Sequence, residues 1–122
     1  VTGVEVSSGA ISSAISAARH AGLSRSAASF IAGDATSWAR AQSAADVPDV
    51  IVVNPPRRGI GADLAAYLNE CDAPRVIYSS CNPASLATDL AAMPTLRPVE
   101  GRIFDMFPHT THAEVALLLE RA

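Results

Sequence analysis

The sequence contains no lysine, only two cysteines and no long apolar run. All nine of its basic residues are arginines, and against twelve acidic residues they leave a formal net charge of −3. A domain that binds nucleic acid without help usually carries an excess of basic charge, so this balance argues against such a domain. The chain also lacks a signal-peptide pattern and the run of about 18 apolar residues that a membrane span needs. We therefore expect a cytoplasmic protein.

Cysteine is too scarce to support a disulfide framework or a four-cysteine zinc site. The two cysteines are Cys71 and Cys81, and a small secreted scaffold needs more of them. His109 and His112 lie close together near the C-terminus, but no further ligands follow at a fixed spacing. The sequence predicts no metal site.

Strand-like and helix-like segments alternate through the first three quarters of the 122 residues. Predicted strands cover residues 1–6, 28–32, 50–53 and 75–79, and predicted helices cover 9–21, 36–45, 62–69 and 84–92. Such alternation predicts an α/β fold with a mainly parallel sheet and helices on both faces. The last quarter breaks the pattern, because residues 96–104 and 113–119 are both extended. These two segments predict an antiparallel hairpin at the edge of the sheet.

Polar side chains follow the predicted strands, where open α/β sheets bind their ligands. In chain order they are Glu5, Asp34, Asn54 and Cys81. A strand-terminal acid such as Glu5 can accept hydrogen bonds from both ribose hydroxyls of a nucleoside cofactor. The simpler alternatives are that Glu5 is a solvated or capping residue and that Asp34 is a turn residue bonded to its own backbone.

Two of these strand ends carry a more specific signal. Two consecutive prolines after Asn54 fix the loop, so the Asn54 carboxamide is held rigidly. Cys81 precedes a predicted helix that Asn82 can cap and in which Pro83 can occupy the first turn. The amide dipoles of that helix favour a thiolate nucleophile. An inert buried thiol is the alternative for Cys81, and it is our interpretation of Cys71. Candidates for a general base surround the predicted hairpin, namely Asp105, His109, His112 and Glu114.

Three motifs together resemble the RNA uracil-C5 methyltransferase family, which makes 5-methyluridine in tRNA and 23S rRNA. They are NPPRRGIG at residues 54–61, YSSCNPASLATDL at 78–90 and FDMFPHTTHAE at 104–114. Residues 1–9 and 33–35 are similar to the family's cofactor-binding strand ends. The resemblance covers nearly the whole chain and leaves open whether tRNA or rRNA is the substrate.

The resemblance implies a class I S-adenosylmethionine-dependent fold that acts on RNA. In the family pattern, Glu5 corresponds to the ribose-binding acid, Asp34 to a residue near the adenine, and Asn54 to a position near the methionine end of the cofactor and the target base. Cys81 corresponds to the nucleophile and Glu114 to the general base. The chemistry gives a separate reason for this last pair. Carbon 5 of uracil becomes nucleophilic only after a thiolate adds to carbon 6, and a base must later remove the proton from carbon 5.

The sequence departs from the family pattern at its beginning. It opens at what corresponds to the second strand of the catalytic domain, without the first strand and its glycine-rich cofactor loop. Residues 1–122 are therefore expected to be a partial methyltransferase domain, without the oligonucleotide-binding and central domains. A central strand missing from the sheet predicts a gap and exposed apolar edges. We expect this part to be inactive alone and able to self-associate through those edges.

Two other functions remain open. A truncated domain acting only as a folding or binding module would explain the missing cofactor loop, but not the presence of Cys81 and Glu114. An amino-methyltransferase of adenine or cytosine also uses an Asn-Pro-Pro turn. Those enzymes normally place an aromatic residue where this sequence has Arg57, and they need no cysteine.

Overall fold

A computed structural model describes all residues from 1 to 122. The chain forms two compact units, Val1–Gln42 and Ser43–Ala122. Its strands fall into two separate sheets, one of two strands and one of four.

The first unit contains two consecutive strand-helix pairs. They are β1 (Thr2–Glu5), α1 (Ser8–His20), β2 (Ser29–Ala32) and α2 (Ala35–Arg40). The two strands are parallel, with Thr2 opposite Ser29 and Glu5 opposite Ala32. Because the strands are parallel, the residues that follow Glu5 and Ala32 emerge at the same end of this sheet.

Local signals define the ends of α1. The Ser7 side chain accepts a hydrogen bond from the Ala10 amide at 3.2 Å and so caps the first turn. At the other end Gly22 adopts a φ of +74°, a backbone conformation that is unfavourable for residues other than glycine. The Leu23 amide then reaches back to the Ala18 carbonyl at 2.9 Å, which closes the helix end.

The second unit contains a four-stranded mixed sheet. A 3₁₀ turn (Ala44–Asp46) is followed by β3 (Val50–Val53), α3 (Ala62–Glu70), β4 (Arg75–Ser80), α4 (Pro83–Ala91), β5 (Leu96–Phe104) and β6 (Glu114–Arg121). The strand order is β3-β4-β6-β5, with β3 parallel to β4 and β6 antiparallel to both of its neighbours. Three of the four strands therefore run in one direction. The predicted hairpin is confirmed, and β5 lies at the edge.

Both helices of the second unit pack on the same face of its sheet. Ala65 and Leu68 of α3 and Leu86 of α4 form one buried cluster with Val76 and Tyr78, which alternate along β4 and so share a face. On the opposite face the side chain of Val52 is 67% exposed, and Val50 and Ile77 are exposed as well. The expectation of helices on both faces is wrong within this unit.

Arg121, near the end of β6, joins the C-terminal strand to the end of α3. Its guanidinium donates to the carbonyls of Leu68, Asn69 and Ala73 and to the Thr95 hydroxyl, at 2.9 to 3.2 Å. The last carbonyls of a helix have no partner within the helix, and a cation placed there is favourable. Arg121 therefore stabilises the contact between the end of β6 and the end of α3.

The helix predicted over 36–45 is shorter in the structure. It ends at Arg40, and a separate 3₁₀ turn begins after Ser43, whose backbone is extended. The Ser43 hydroxyl donates to the Asp46 carboxylate, a local bond that competes with helix continuation. No helix in the chain has the length and apolarity of a membrane span.

Candidate functional site

Three of the predicted site residues lie where strands of the four-stranded sheet end or begin. Asn54 follows β3 and Cys81 follows β4, while Glu114 begins β6. Because β6 is antiparallel to β4, the pairing of Ser80 with Val115 places Glu114 opposite Cys81 at the next position. An amide, a thiol and a carboxylate thus lie at the same end of the sheet, at the carboxyl ends of β3 and β4 and the start of β6.

Cys81 is held between a strand and the first turn of α4. Its thiol is free and partly buried. The next residue, Asn82, caps α4 by accepting from the Ala84 amide at 3.1 Å, and Pro83 occupies the first turn. The capping residue and the proline predicted from the sequence are both confirmed. Cys81 therefore lies close to the positive end of the α4 dipole.

The Glu114 carboxylate is fixed by a neighbour that the sequence analysis missed. The Ser79 hydroxyl on β4 donates to Glu114 Oε1, and both residues are partly buried. An ordered carboxylate at the start of the strand paired with β4 is suited to accept a proton from a substrate bound near Cys81. The signal that could have identified Ser79 is strand alternation, which puts it on the face of β4 opposite the buried Val76 and Tyr78.

The loop that contains the two prolines, residues 54–61, is tied to the segment that follows β4. The Asn82 side-chain amide donates to the Arg57 carbonyl at 2.9 Å. Further along the loop, the Ile60 amide donates to Asp89 Oδ2 at 2.9 Å, and the Tyr78 hydroxyl donates to the same oxygen. We call residues 54–61 the proline loop. Asp89 was also missed, although an acid at helical spacing among Leu86, Leu90 and Met93 signals a buried partner.

The turn between β5 and β6 carries the other candidate bases. His112 Nδ1 lies 3.3 Å from an Arg57 guanidinium nitrogen, and its ring packs edge-on against Phe107 with 6.4 Å between the ring centroids. His109 is exposed and has a φ of +63°. Asp105 is exposed as well. Of the four candidates, Glu114 is the one whose register position lies opposite Cys81.

Glu5 and Asp34 belong to the first unit, at the carboxyl ends of β1 and β2. Both are exposed. Glu5 accepts from the Ser7 amide at 2.9 Å, and Asp34 caps α2 by accepting from the Ser37 amide at 2.7 Å. The backbone and side-chain hydrogen bonds from Ser37 hold the pKa of Asp34 below its usual value of 3.8. The local bonding expected as the simpler alternative is present at both residues.

The first unit also contains a shallow cleft, which Glu5 and Asp34 do not line. It is lined by Ile15, Arg19, Leu23 and Phe30, among others, beside the amino-terminal half of β2. Ligands of open α/β sheets bind at the opposite, carboxyl end of the strands. The cleft therefore does not coincide with the position of Glu5 and Asp34.

Comparison with known proteins identifies relatives along the whole chain. The 23S rRNA (uracil(747)-C(5))-methyltransferase RlmC of Edwardsiella ictaluri is 48% identical over 122 residues, and that of Halothiobacillus neapolitanus is also 48% identical over 122 residues. These alignments cover 100% and 99% of the chain. The chain spans only 31% and 32% of the length of these two relatives.

The fold is shared with a solved RNA methyltransferase. The crystal structure of Pyrococcus abyssi tRNA (uracil-54, C5)-methyltransferase in complex with S-adenosyl-L-homocysteine superposes with a TM-score of 0.83 and 28% identity, over 98% of this chain and 28% of that one. This confirms the predicted class I methyltransferase fold. Residues 45–122, which include Asn54, Cys81 and Glu114, match the family model described as tRNA (uracil-5-)-methyltransferase. The chain therefore belongs to the tRNA (uracil-5-)-methyltransferase family.

Proposed function

We propose that this chain supplies the catalytic site of an enzyme that methylates carbon 5 of uracil in RNA, with S-adenosylmethionine as methyl donor. The single observation that carries the proposal is that Cys81 directly follows β4 and Glu114 begins β6, each one residue beyond the last β4–β6 pair, Ser80 with Val115. Nucleophilic catalysis on uracil needs a thiolate and a separate base. The family supports the same reaction, and so do the relatives, which are named as methyltransferases of 23S rRNA and tRNA uracils.

In the proposed mechanism, the Cys81 thiolate adds to carbon 6 of the target uracil. The new sulfur–carbon bond pushes the electrons of the 5,6 double bond toward the carbonyl at carbon 4, which gives an enolate with a nucleophilic carbon 5. S-adenosylmethionine, when bound, supplies the methyl group as an activated sulfonium. The result is a 5-methylated base that is still covalently attached to Cys81.

Glu114 completes the cycle. Its carboxylate removes the remaining proton from carbon 5, and that electron pair restores the 5,6 double bond. The bond from carbon 6 to Cys81 breaks at the same time, so the thiolate is regenerated and the proton on Glu114 passes to water. The hydrogen bond from Ser79 holds the carboxylate in one orientation for this step.

The residues at the strand ends fit the proposed cofactor. The exposed Glu5 carboxylate, at the carboxyl end of a parallel strand, is an acceptor for ribose hydroxyls. We propose that Asp34 lies near the adenine and Asn54 near the methionine end and the base. A cofactor-binding measurement tests Glu5: Glu5→Gln is expected to weaken S-adenosylmethionine binding in the full-length protein, and Glu100→Gln on β5 serves as the control.

The proposed RNA partner must present an unstacked uracil. Carbon 6 of a base inside a helical stack is shielded, so the base has to be flipped out or to lie in a single-stranded loop. The net charge of −3 offers little attraction for phosphates. Because the chain spans about a third of its relatives' length, we propose that other parts of a larger protein grip the RNA. By the same reasoning, we propose that the 122 residues alone are inactive.

Covalent trapping tests the proposed mechanism directly. RNA containing 5-fluorouracil blocks proton removal at carbon 5, so the full-length protein is expected to form a stable adduct after methyl transfer. Cys81→Ser should abolish the adduct. Cys71→Ser is the matched control, because Cys71 is a buried free thiol at the end of α3 and should leave trapping unchanged. Methylation that survives Cys81→Ser would exclude the proposed nucleophile.

A further inference from the structure

Asp89 is a buried acid whose carboxylate accepts hydrogen bonds from two other residues. It lies on α4 with 6% of its surface exposed, among apolar residues of the core. Oδ2 accepts from the Ile60 amide at 2.9 Å and from the Tyr78 hydroxyl. Burying a carboxylate is costly unless such bonds compensate for the lost water. Burial of this carboxylate costs free energy, and its hydrogen bond to Ile60 suggests that it holds a loop of the candidate site.

Tyr78 is the residue whose hydroxyl donates to the Asp89 carboxylate. It is completely buried in the cluster of apolar residues under the sheet. Burial, followed by the hydrogen bond to Asp89 and the negative charge of Asp89, raises the pKa of Tyr78 well above its usual value. The hydroxyl therefore stays protonated at neutral pH and remains a donor.

The proline loop is fitted closely around the Asp89 carboxylate. Gly59 has a φ of +89°, and its amide closes a turn by donating to the Pro56 carbonyl at 2.9 Å. A Cβ atom added to Gly59 would lie 2.3 Å from Asp89 Oδ2, which is far inside contact distance. Only glycine lets the backbone lie against the carboxylate while Ile60 donates to it.

A second contact joins the loop to the same segment of chain. The Asn82 side chain donates to the Arg57 carbonyl, and Asn82 is the neighbour of Cys81. The loop is thus tied at Arg57 to the cysteine turn and at Ile60 to α4. Since α4 begins at Pro83, two residues after Cys81, both contacts fix the loop relative to the cysteine.

We propose that Asp89 is a positioning residue that fastens the proline loop, and with it Asn54, in register with Cys81. Asp89 does not touch the reacting atoms; it acts through the Ile60 amide, and Tyr78 keeps its carboxylate in place. The consequence for catalysis rests on the function proposed above, whereas the fastening of the loop does not. Loss of the contact should loosen the loop locally and leave the sheet intact.

The loop carries its own reporter of mobility, because Arg57 and Arg58 are exposed tryptic sites within it. Native-state cleavage by trypsin, followed by mass spectrometry on the full-length protein, measures how often the loop opens. Arg25, exposed in the segment between α1 and β2, is the internal control site. The variants are Asp89→Ala, Tyr78→Phe and the conservative Asp89→Asn, whose single carbonyl oxygen can still accept both hydrogen bonds.

We expect Asp89→Ala and Tyr78→Phe to be cleaved at Arg57 and Arg58 at least tenfold faster than the unaltered protein, with cleavage at Arg25 unchanged. Asp89→Asn should stay within threefold of the unaltered rate. For methylation, the two disruptive variants should lower kcat about tenfold and change KM for RNA less than threefold, since they loosen a loop beside the reacting atoms. If Asp89→Ala does not fold, the Tyr78→Phe result decides.

Two results would overturn the proposal: no acceleration at Arg57 and Arg58, or equal acceleration there and at Arg25, which would show general loosening. Failure of the proposed function has a different signature. It would appear as absence of methylation and of 5-fluorouracil trapping in the unaltered protein, while the cleavage pattern would still report on the loop.

Discussion

The Ser79 hydroxyl donates a hydrogen bond to the Glu114 carboxylate and so links the strand that leads into Cys81 to the strand that faces it. Ser79 lies two residues before Cys81, and Glu114 is the first residue of β6. The strand that leads into the proposed nucleophile is therefore linked to the proposed base by one side-chain contact as well as by the sheet. A change in this contact should affect the step that uses Glu114 and spare the step that uses Cys81.

Replacement of Ser79 tests this separation. Ser79→Val removes the hydroxyl but keeps a β-branched residue suited to a strand, and Ser79→Thr keeps both features. With Ser79→Val we expect the covalent protein–RNA intermediate to accumulate and turnover to fall on the order of tenfold, because the base is less well oriented. Ser79→Thr should remain close to the unaltered protein. Quantifying the adduct by denaturing electrophoresis during turnover checks this, and equal effects of both variants would contradict it.

Glu114→Gln removes the base itself and should have a larger effect. The Cys81 thiolate can still add and the methyl group can still be transferred, but proton removal from carbon 5 fails. We expect methylated RNA to remain covalently attached, with release slowed by about 10² to 10⁴. Glu120→Gln is the matched control, since Glu120 lies on the same strand in an exposed ion pair with Arg75. Normal release by Glu114→Gln would show that another group is the base.

Sequence patterns predicted the elements well where local chemistry determines them. The strand at 50–53 and the hairpin strand at 96–104 agree with the structure residue for residue. The Asn82 cap is also confirmed. These features depend on alternation, on capping side chains and on a proline at a helix start, and all three can be read within a few residues of chain.

Contacts between distant segments could not be predicted in the same way. Ser79 and Glu114 are 35 positions apart, and Asp89 and Ile60 are 29 apart. Their pairing depends on strand register and on which face of the sheet the helices cover. Helices on both faces of the sheet would bury β3 on both sides, yet Val52 is 67% exposed. Hydrophobic pattern does not show which neighbour covers a face.

The Asp34 cap makes the first unit sensitive to acid. The hydrogen bonds from Ser37 lower the pKa of Asp34 in the folded state, so this contribution to stability is present above the unfolded value near 3.8 and is lost as pH falls through the folded value. We expect α2 to fray in that range. Trp38 is the only tryptophan and lies in α2, so its fluorescence reports the change. Asp34→Asn keeps an acceptor that does not titrate, and a pH response unchanged by it would contradict the assignment.

Arg121 should contribute far more to stability than its position near the C-terminus suggests. Arg121→Met removes the donors to Leu68, Asn69 and Ala73 and leaves these carbonyls without that partner. Hydrogen bonds to charged groups are worth about 1.5 to 3 kcal/mol, so we expect a loss of about 3 kcal/mol in the free energy of unfolding. Urea denaturation measures it. Arg102→Met, which breaks only an exposed pair with Glu100, should cost less than about 1 kcal/mol, and similar losses for both variants would refute the prediction.

Tyr78 should make the protein unstable only at strongly alkaline pH. Burial and the hydrogen bond to Asp89 raise its pKa in the folded state, so the stabilising contact is complete below the unfolded value of 10.0 and is lost as pH rises toward the folded value. Above pH 10 the free energy of unfolding should fall by at most about 1.4 kcal/mol per pH unit more than in Tyr78→Phe. Burial also raises the pKa of Tyr67, the only other tyrosine, with a smaller effect from the charge of Cys71. Absorbance at about 295 nm should therefore show little tyrosinate at pH 10 and a cooperative rise on unfolding. A gradual rise near pH 10 while the circular dichroism stays native would show that the Tyr78 hydroxyl is not held by Asp89.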